Sequence, residues 1–579
     1  MSPDTDRPST VADLLLDRLA GLGLDRLFGV PGDYSLRMLD HVVAHPRITW
    51  TGGTNELNAG YAADGYARMR GIGAVCTTFG VGELSAMNAI AGAYAEYVPV
   101  LHVVGAPATV AQDEHRRVHH TLGDGLFRHF ADMYGEITCA GAVLTAENAV
   151  TEIDRVLGTM MATSRPGYLL IAADVAEAPV AADVPAPPRA VATSDAGSLA
   201  AFTASAARLF EGIRATDEMC VLAGLLVHRL GGTGALQDLL GTDVPHASTL
   251  WSKSVVDESA GSFLGTYVGA AGPSADVRDR VEQAGVLVVA GVQFTDLNTG
   301  LFSFHLRRAA TIELEADRAR VGEEVFDGVV LTDALRAITP LVRGLTRGID
   351  SPPPASAPTA DGDAWGQTAL APGAALLMTE PAAAGGAWGQ TALWNGISDA
   401  LRPDDIVAAD QGTSFYGMGT HRLPSGVTFL GQPLWASIGW SLPALLGACL
   451  ASPGRRGVLL IGDGAAQMTA QELTTFARTG VAPVVVVVDN DGYTVERAIH
   501  GPTEPYNDIA RWDWTAAPQF LGLTGWAAHR VTSADGLAEA LAEHDRTGAG
   551  TVLQAVVPAD DVPELLATLT RMLGAPVRP

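Results

Sequence analysis

The residues whose types and spacing carry chemistry cluster most tightly between Val458 and Tyr493. A short apolar run, Val458–Ile461, leads directly into Gly462-Asp463-Gly464-Ala465-Ala466, and a helical pattern follows from about Gln467 to Thr479. After Gly480 and Pro483 a second apolar run ends at Val488 and opens into Asp489-Asn490-Asp491-Gly492-Tyr493. This order predicts strand, turn, helix, strand, with Asp463 and Asn490 at the carboxyl ends of two successive parallel strands, the edge where open α/β sheets bind ligands. Glycines let backbone N–H groups approach a phosphate, and a helix N-terminus adds partial positive charge. One carboxylate, one amide oxygen and a backbone carbonyl make a hard oxygen set that suits Mg²⁺ completed by phosphate oxygens and water. Gly-Asp-Gly alone is also an ordinary tight turn. The βαβ context and the downstream asparagine favour the phosphate and metal reading.

Four further stretches hold acid–base groups: Asp33 in VPGDYSLRMLDHV, Glu56 in TNELNAGYAADGYAR, His119 and His120 in HHTLGDG, and Glu496 in GYTVERAIHG. Each has a plain structural alternative. Asp33 follows Pro-Gly and fits a turn, Glu56 fits a helix cap, the histidine pair fits a solvated turn and Glu496 a surface carboxylate. Taken as a set, they are the side chains whose pKa values burial or a neighbouring charge can bring to a working pH.

The elements that must position them follow from periodicity. Val11–Leu24 and Glu83–Ala95 have helical spacing, Val100–Val104 is a short apolar run, and Val286–Val292 and Thr311–Glu315 are strand candidates. Val458–Ile461 and Val484–Val488 are continuous apolar runs, the pattern of parallel strands covered on both faces. Two breaks interrupt the alternation. Ala176–Gly197 is rich in Ala and Pro, and the stretch from about Arg347 to Gly386 holds SPPPASAPTADGD and TEPAAAGG. The heptapeptide AWGQTAL occurs at Ala364–Leu370 and again at Ala387–Leu393. A single duplication is not a repeat architecture, and it reads as a lengthened surface linker. The division expected is an N-terminal domain over 1–180, a middle domain over 198–345, an extended linker over 346–386 and a C-terminal domain over 387–579. All three domains are expected to be α/β, with doubly wound parallel sheets.

The 579 residues carry 37 Lys and Arg against 64 Asp and Glu, a formal net charge of −27, and Lys253 is the only lysine. That balance argues against nucleic-acid backbones and anionic lipid. No run approaches 18 apolar residues, and Met1–Thr10 lacks the basic and apolar regions of a signal peptide. Cys76, Cys139, Cys220 and Cys449 are widely separated, which fits reduced thiols and a cytoplasmic setting. Cys220 reads as a buried apolar residue.

Taken together, the GDG…N spacing and the acid–base stretches resemble the thiamine diphosphate enzymes. GDGAAQMTAQEL and DNDGYTVERAIHG resemble their 2-oxo acid decarboxylase branch, which includes pyruvate and indolepyruvate decarboxylases. The resemblance implies thiamine diphosphate and Mg²⁺ as cofactors, with Asp463, Asn490 and the Gly492 carbonyl as metal ligands. Asp489 stands where the family usually has asparagine. By the same resemblance Gly462, Gly464 and Ala465 would belong to the diphosphate-binding loop. Glu56 would hydrogen-bond the pyrimidine N1′, favouring the imino tautomer that removes the thiazolium C2 proton.

ADQGTSFYG and QPLWASIGW match the same branch. They imply Thr413 as a diphosphate contact, Ile438 as the residue that bends the cofactor, and the Ala436 carbonyl as acceptor from the 4′-amino group, where the family usually has glycine. Asp33, His119, His120 and Glu496 would share the proton steps that follow loss of carbon dioxide. Gln411, Phe415, Val495 and Ile499 would line the substrate end. The resemblance also implies a pyrimidine-binding N-terminal domain, a diphosphate-binding C-terminal domain, a homodimer as the minimum active unit and a homotetramer as a common state. The reaction implied is non-oxidative decarboxylation of a 2-oxo acid to an aldehyde. The substrates expected are indolepyruvate or phenylpyruvate, then branched-chain oxo acids, then pyruvate. The competing readings are a carboligase of the acetolactate synthase type, and a dinucleotide-dependent oxidoreductase or silent scaffold. No convincing GxGxxG with a downstream acid supports the oxidoreductase.

Overall fold

A computed structural model describes residues 9–181, 185, 192–241, 243–345, 364–365 and 388–573. The first sheet contains β1 (Arg26–Gly29), β2 (Thr49–Gly52), β3 (Gly73–Thr78), β4 (Val100–Ala106), β5 (Ala140–Leu144) and β6 (Gly167–Ala172), all parallel, in the order 2-1-3-4-6-5. β3, β4 and β6 are buried along their whole length, as strands covered on both faces must be.

The middle unit holds β7 (Met219–Ala223), β8 (His246–Thr249), β9 (Phe263–Tyr267), β10 (Val286–Ala290), β11 (Thr311–Leu314), β12 (Arg318–Val321) and β13 (Glu324–Asp327), in the order 13-12-11-10-7-8-9. Here the structure departs from a wholly parallel sheet, because β12 and β13 run antiparallel. Only Glu315–Asp317 separates β11 from β12, and only Gly322 and Glu323 separate β12 from β13. Connections that short close hairpins; a parallel crossover needs a dozen or more residues.

The third sheet contains β14 (Ile406–Ala409), β15 (Thr428–Leu430), β16 (Gly457–Gly462), β17 (Val484–Asp489), β18 (Ala527–Val531) and β19 (Thr551–Val556). It is again all parallel, in the order 15-14-16-17-19-18. The first and third sheets therefore share one winding. In each, the first strand lies between the second and third, and the crevice outside the carboxyl ends at that reversal is the natural ligand site.

These two units pack on each other through the helices Glu56–Arg70 and Ser441–Ala451. Contact is backbone to backbone: a Cβ at Gly65 would lie 2.0 Å from the Ala444 carbonyl oxygen, and one at Gly447 would lie 1.8 Å from that of Ala62. One apolar core runs through both units. The middle unit keeps its own cores, one on each face of its sheet.

Most of the 346–386 linker, and with it the first AWGQTAL copy apart from Ala364 and Trp365, lies outside the described residues. The second copy, from Trp388 onward, is built into the third unit. Trp388 Nε1 donates to the Val556 carbonyl at 2.7 Å, Trp394 Nε1 donates to Gln390 Oε1 at 2.7 Å, and Leu393 is buried. Among the described residues no helix is long and apolar enough to cross a membrane, and the four cysteines are unpaired.

Candidate active site

Asp463 stands immediately beyond β16, and the helix it begins, Asp463–Thr469, starts several residues earlier than its periodicity predicts. Gly462 is the N-cap, and Gly464 and Ala465 complete the first turn. The carboxylate is buried and fixed by backbone donors. Gly464 N–H donates to Oδ1 at 2.7 Å and Gly492 N–H donates to Oδ2 at 3.1 Å. Burial pushes the Asp463 carboxyl up to about 6, and the nearby charge of Asp489 acts in the same direction. Asp489 itself turns away, accepting from Gln554 Nε2 at 2.7 Å.

Asn490 completes the group. Its Oδ1 lies 3.3 Å from Asp463 Oδ1 and 3.0 Å from the Gly492 carbonyl oxygen, while its amide nitrogen sits 2.9 Å from Thr494 Oγ1. Three acceptors thus face one another with no donor between them. Rotating the amide would create hydrogen bonds to both oxygens and let its own oxygen accept from Thr494 Oγ1, the arrangement favoured without a cation, whereas the inward oxygen suits a site that holds one. Oxygens about 3 Å apart are the edge of an octahedron with bonds of about 2.1 Å, the geometry of Mg²⁺. The residues present fit that ion.

At the N-terminal crevice Asp33 follows β1, Glu56 follows β2 and the turn Phe79–Gly82 follows β3. Asp33 Oδ2 is 2.6 Å from His119 Nε2, and Oδ1 is 3.7 Å from His120 Nε2. Tyr34, missed in the sequence, stacks on His119 with ring centroids 4.9 Å apart, and its hydroxyl is 3.3 Å from His119 Nδ1. Burial and the Asp33 charge raise the Tyr34 phenol, which stays protonated. Asn55 caps the helix Glu56–Arg70, accepting from Asn58 N–H, so Glu56 occupies the first helical position and is not the cap. Among the described residues its carboxylate has no hydrogen-bond donor, and Oε1 lies 3.1 Å from where a Cβ on Gly82 would stand. No hydrogen bond or ion pair among the described residues joins this group to Asp463 or Asn490 within one chain.

Family models match all three units. Residues 9–132 match the thiamine pyrophosphate enzyme N-terminal TPP binding domain, 206–341 the central domain and 412–554 the C-terminal TPP binding domain. An alpha-keto-acid decarboxylase of Mycolicibacterium paratuberculosis is 51% identical over 569 residues, covering 98% of this chain and 97% of that protein. Similar proteins of the same name occur in Mycobacterium ulcerans (51% over 578 residues, 99% of this chain, 97% of that protein) and Mycobacterium tuberculosis (50% over 570 residues, 98% and 97%). The chain belongs to the thiamine diphosphate-dependent 2-oxo acid decarboxylases. It is a carboxy-lyase that uses thiamine diphosphate.

The remaining decarboxylase motifs fall around the same two crevices. Thr413 begins the helix Thr413–Met418 after Gly412, whose φ of +139° only glycine adopts easily. Val495 Cγ2 is 3.8 Å from where a Gly412 Cβ would be, which brings the ends of β14 and β17 together. Gln411 Nε2 donates to Tyr416 Oη at 3.0 Å, leaving its buried Oε1 without a partner. Glu496 and Ile499 lie exposed on the helix Thr494–His500, whereas Phe415 is buried against Phe429 and Gly431 in the core of the third unit.

Ala436 has φ +57°, the left-handed region that explains the usual glycine. Its turn is braced by Tyr61 Oη, 2.6 Å from Ser437 Oγ. Asp410, which no spacing rule marked, holds the following turn. Its buried carboxylate accepts from Gly439 N–H, Ser441 N–H and Ser441 Oγ, so it sets the backbone that directly follows Ile438. Burial raises this carboxyl to about 6.

Proposed function

We propose that the enzyme converts an aromatic or branched-chain 2-oxo acid, indolepyruvate and phenylpyruvate first among them, to the aldehyde and carbon dioxide. Support comes from the Asp33–His119–His120 cluster, a set of proton carriers at a crevice edge that a decarboxylase needs and a carboligase does not. Asp463, Asn490 and the Gly492 carbonyl would hold Mg²⁺ against the diphosphate, and Thr413 would meet its far oxygens. When bound, thiamine diphosphate supplies the nucleophilic carbon and the electron sink for the bond that breaks. Glu56, with no competing donor among the described residues, would hydrogen-bond the pyrimidine N1′. The Ala436 carbonyl, fixed by its braced turn, would accept from the 4′-amino group.

Asp33 orients His119 through the 2.6 Å hydrogen bond, and Tyr34 fixes the opposite ring nitrogen. These groups, with His120 and Glu496, would supply the proton that replaces carbon dioxide and accept the one lost as the aldehyde is released. Since no hydrogen bond or ion pair among the described residues joins the Glu56 and Asp463 groups, we infer a homodimer in which each crevice is completed by its neighbour, with a homotetramer as its assembled form. Rates on indolepyruvate, phenylpyruvate, 2-oxoisovalerate and pyruvate, with aldehyde and acyloin quantified, test the reading. Aldehyde should dominate and aromatic substrates should be fastest; acyloin or acetolactate as main product overturns it.

A further inference from the structure

The loop that carries Glu56 is not held by its own unit alone. From the third unit, Glu472 reaches across and is 1% exposed. One oxygen of its carboxylate, Oε2, accepts three hydrogen bonds: from Thr54 N–H at 3.1 Å, Thr54 Oγ1 at 2.5 Å and Asn58 Nδ2 at 3.0 Å. Asn58 Nδ2 also donates to Thr54 Oγ1 at 3.0 Å, which closes a ring of polar contacts around the start of the helix. Six residues on, Arg478 donates to the Gly52 carbonyl at the end of β2. The stretch Gly52–Asn58 is therefore gripped on both sides of Glu56 by one segment of the third unit.

That segment is the continuation of the metal loop. Glu472 lies in the short turn Ala470–Glu472 between the helices Asp463–Thr469 and Leu473–Thr479. We infer that Glu472 is a positioning residue for Glu56, fixing the first helical turn on which Glu56 stands so that its otherwise undirected carboxylate points to one place. The inference rests on the reading of Glu56 as the group that addresses the pyrimidine N1′. A carboxylate suits the task because three donors converge on a single oxygen, and hydrogen bonds to a charged acceptor are roughly twice as strong as neutral ones. Glutamine can offer the same oxygen without the charge, so it should rescue in part.

The test compares Glu472→Ala, Glu472→Gln, Thr54→Val and Glu56→Gln in the enzyme loaded with thiamine diphosphate and Mg²⁺. Four quantities are read: the rate of deuterium exchange at C2 of the bound cofactor, the cofactor Kd by calorimetry, kcat and the unfolding midpoint. Misplacing a reacting group by about 1 Å can cost up to about a hundredfold. Glu472→Ala should therefore slow exchange about tenfold or more, with Glu472→Gln between it and the wild type and cofactor Kd within about threefold. Thr54→Val, which removes the hydroxyl that donates to Glu472 and accepts from Asn58 but leaves the carboxylate in place, should slow exchange by about threefold and decides the matter if Glu472→Ala does not fold. Normal exchange in a folded Glu472→Ala variant, alongside slow exchange in Glu56→Gln, overturns the role of Glu472 alone. Normal exchange in Glu56→Gln overturns the underlying reading of Glu56. Cofactor affinity and unfolding midpoint falling in step with exchange reduce Glu472 to a structural brace and overturn the inference as well.

Discussion

Glu83 offers the sharpest test of how the N-terminal crevice is held. The residue is fully buried at the first turn of the helix Val81–Ala95. Its Oε1 accepts from Tyr168 Oη at 2.6 Å, its Oε2 accepts from Gly80 N–H at 3.1 Å, and its main-chain carbonyl accepts from Tyr134 Oη at 2.6 Å. Gly80 has φ +63°, and a Cβ there would lie 2.0 Å from the His120 carbonyl oxygen, so this turn is pressed against the histidine pair. Burial raises the Glu83 carboxyl from 4.5 to about 7, although both hydrogen bonds pull it down.

A pKa raised by folding means the native state binds the extra proton. The associated stability is fully present below pH 4.5 and is lost as pH rises through about 7. The shift corresponds to about 3 kcal/mol. Glutamine imitates the protonated acid, because its amide can donate to Tyr168 and its oxygen can accept from Gly80. Glu83→Gln should thus match the wild type near pH 4.5 and exceed it by about 3 kcal/mol at pH 8, read as a widening gap in urea midpoints for the N-terminal unit. The protonated-carboxyl band in the wild-type-minus-variant infrared spectrum should titrate near pH 7. A gap that is constant with pH, or that narrows as pH rises, refutes the reasoning.

Three other outcomes are expected. Glu56→Gln should lower carbon dioxide release by about 10²–10⁴-fold with an unchanged circular dichroism spectrum; near-normal release would sink the proton role. Asp463→Ala should weaken Mg²⁺-dependent retention of thiamine diphosphate by roughly a hundredfold or more in equilibrium dialysis, since a lost ligand costs at least as much as a lost outer-shell partner; an unchanged titration rejects Asp463 as a ligand. Ala436→Gly should relieve the left-handed backbone by about 0.5–1 kcal/mol net of glycine's greater unfolded freedom. A raised unfolding midpoint is the expected result, and a lowered one contradicts it.

Some of this was legible in the residues because the information is local. The strand, Gly-Asp-Gly, helix and strand leading to Asn490 lie within one continuous stretch, so apolar runs and glycines alone place two oxygen-bearing side chains on one sheet edge. The helix was misjudged at its start, since Gly462 reads as a turn residue and yet serves as its N-cap, and in its continuity, since the turn Ala470–Glu472 breaks it in two. The middle sheet was taken as parallel because apolar runs look alike in either direction; the lengths of the links around β12 decide the matter. Phe415 matched a motif for the substrate end, and its ring also packs with Phe429, a contact that no linear pattern reports.

By itself the sequence determined the three-unit α/β plan, the family and the chemical types at the crevices, because periodicity and motif spacing depend on neighbours along the chain. Only the tertiary structure decided what orients those groups. Glu472 meets Thr54 across 418 residues, His119 meets Asp33 across 86 and Tyr168 meets Glu83 across 85. Such contacts exist because sheet winding and close helix packing bring distant strand ends together. Their energetics depend on burial, which removes the competing water and gives each hydrogen bond its directing strength.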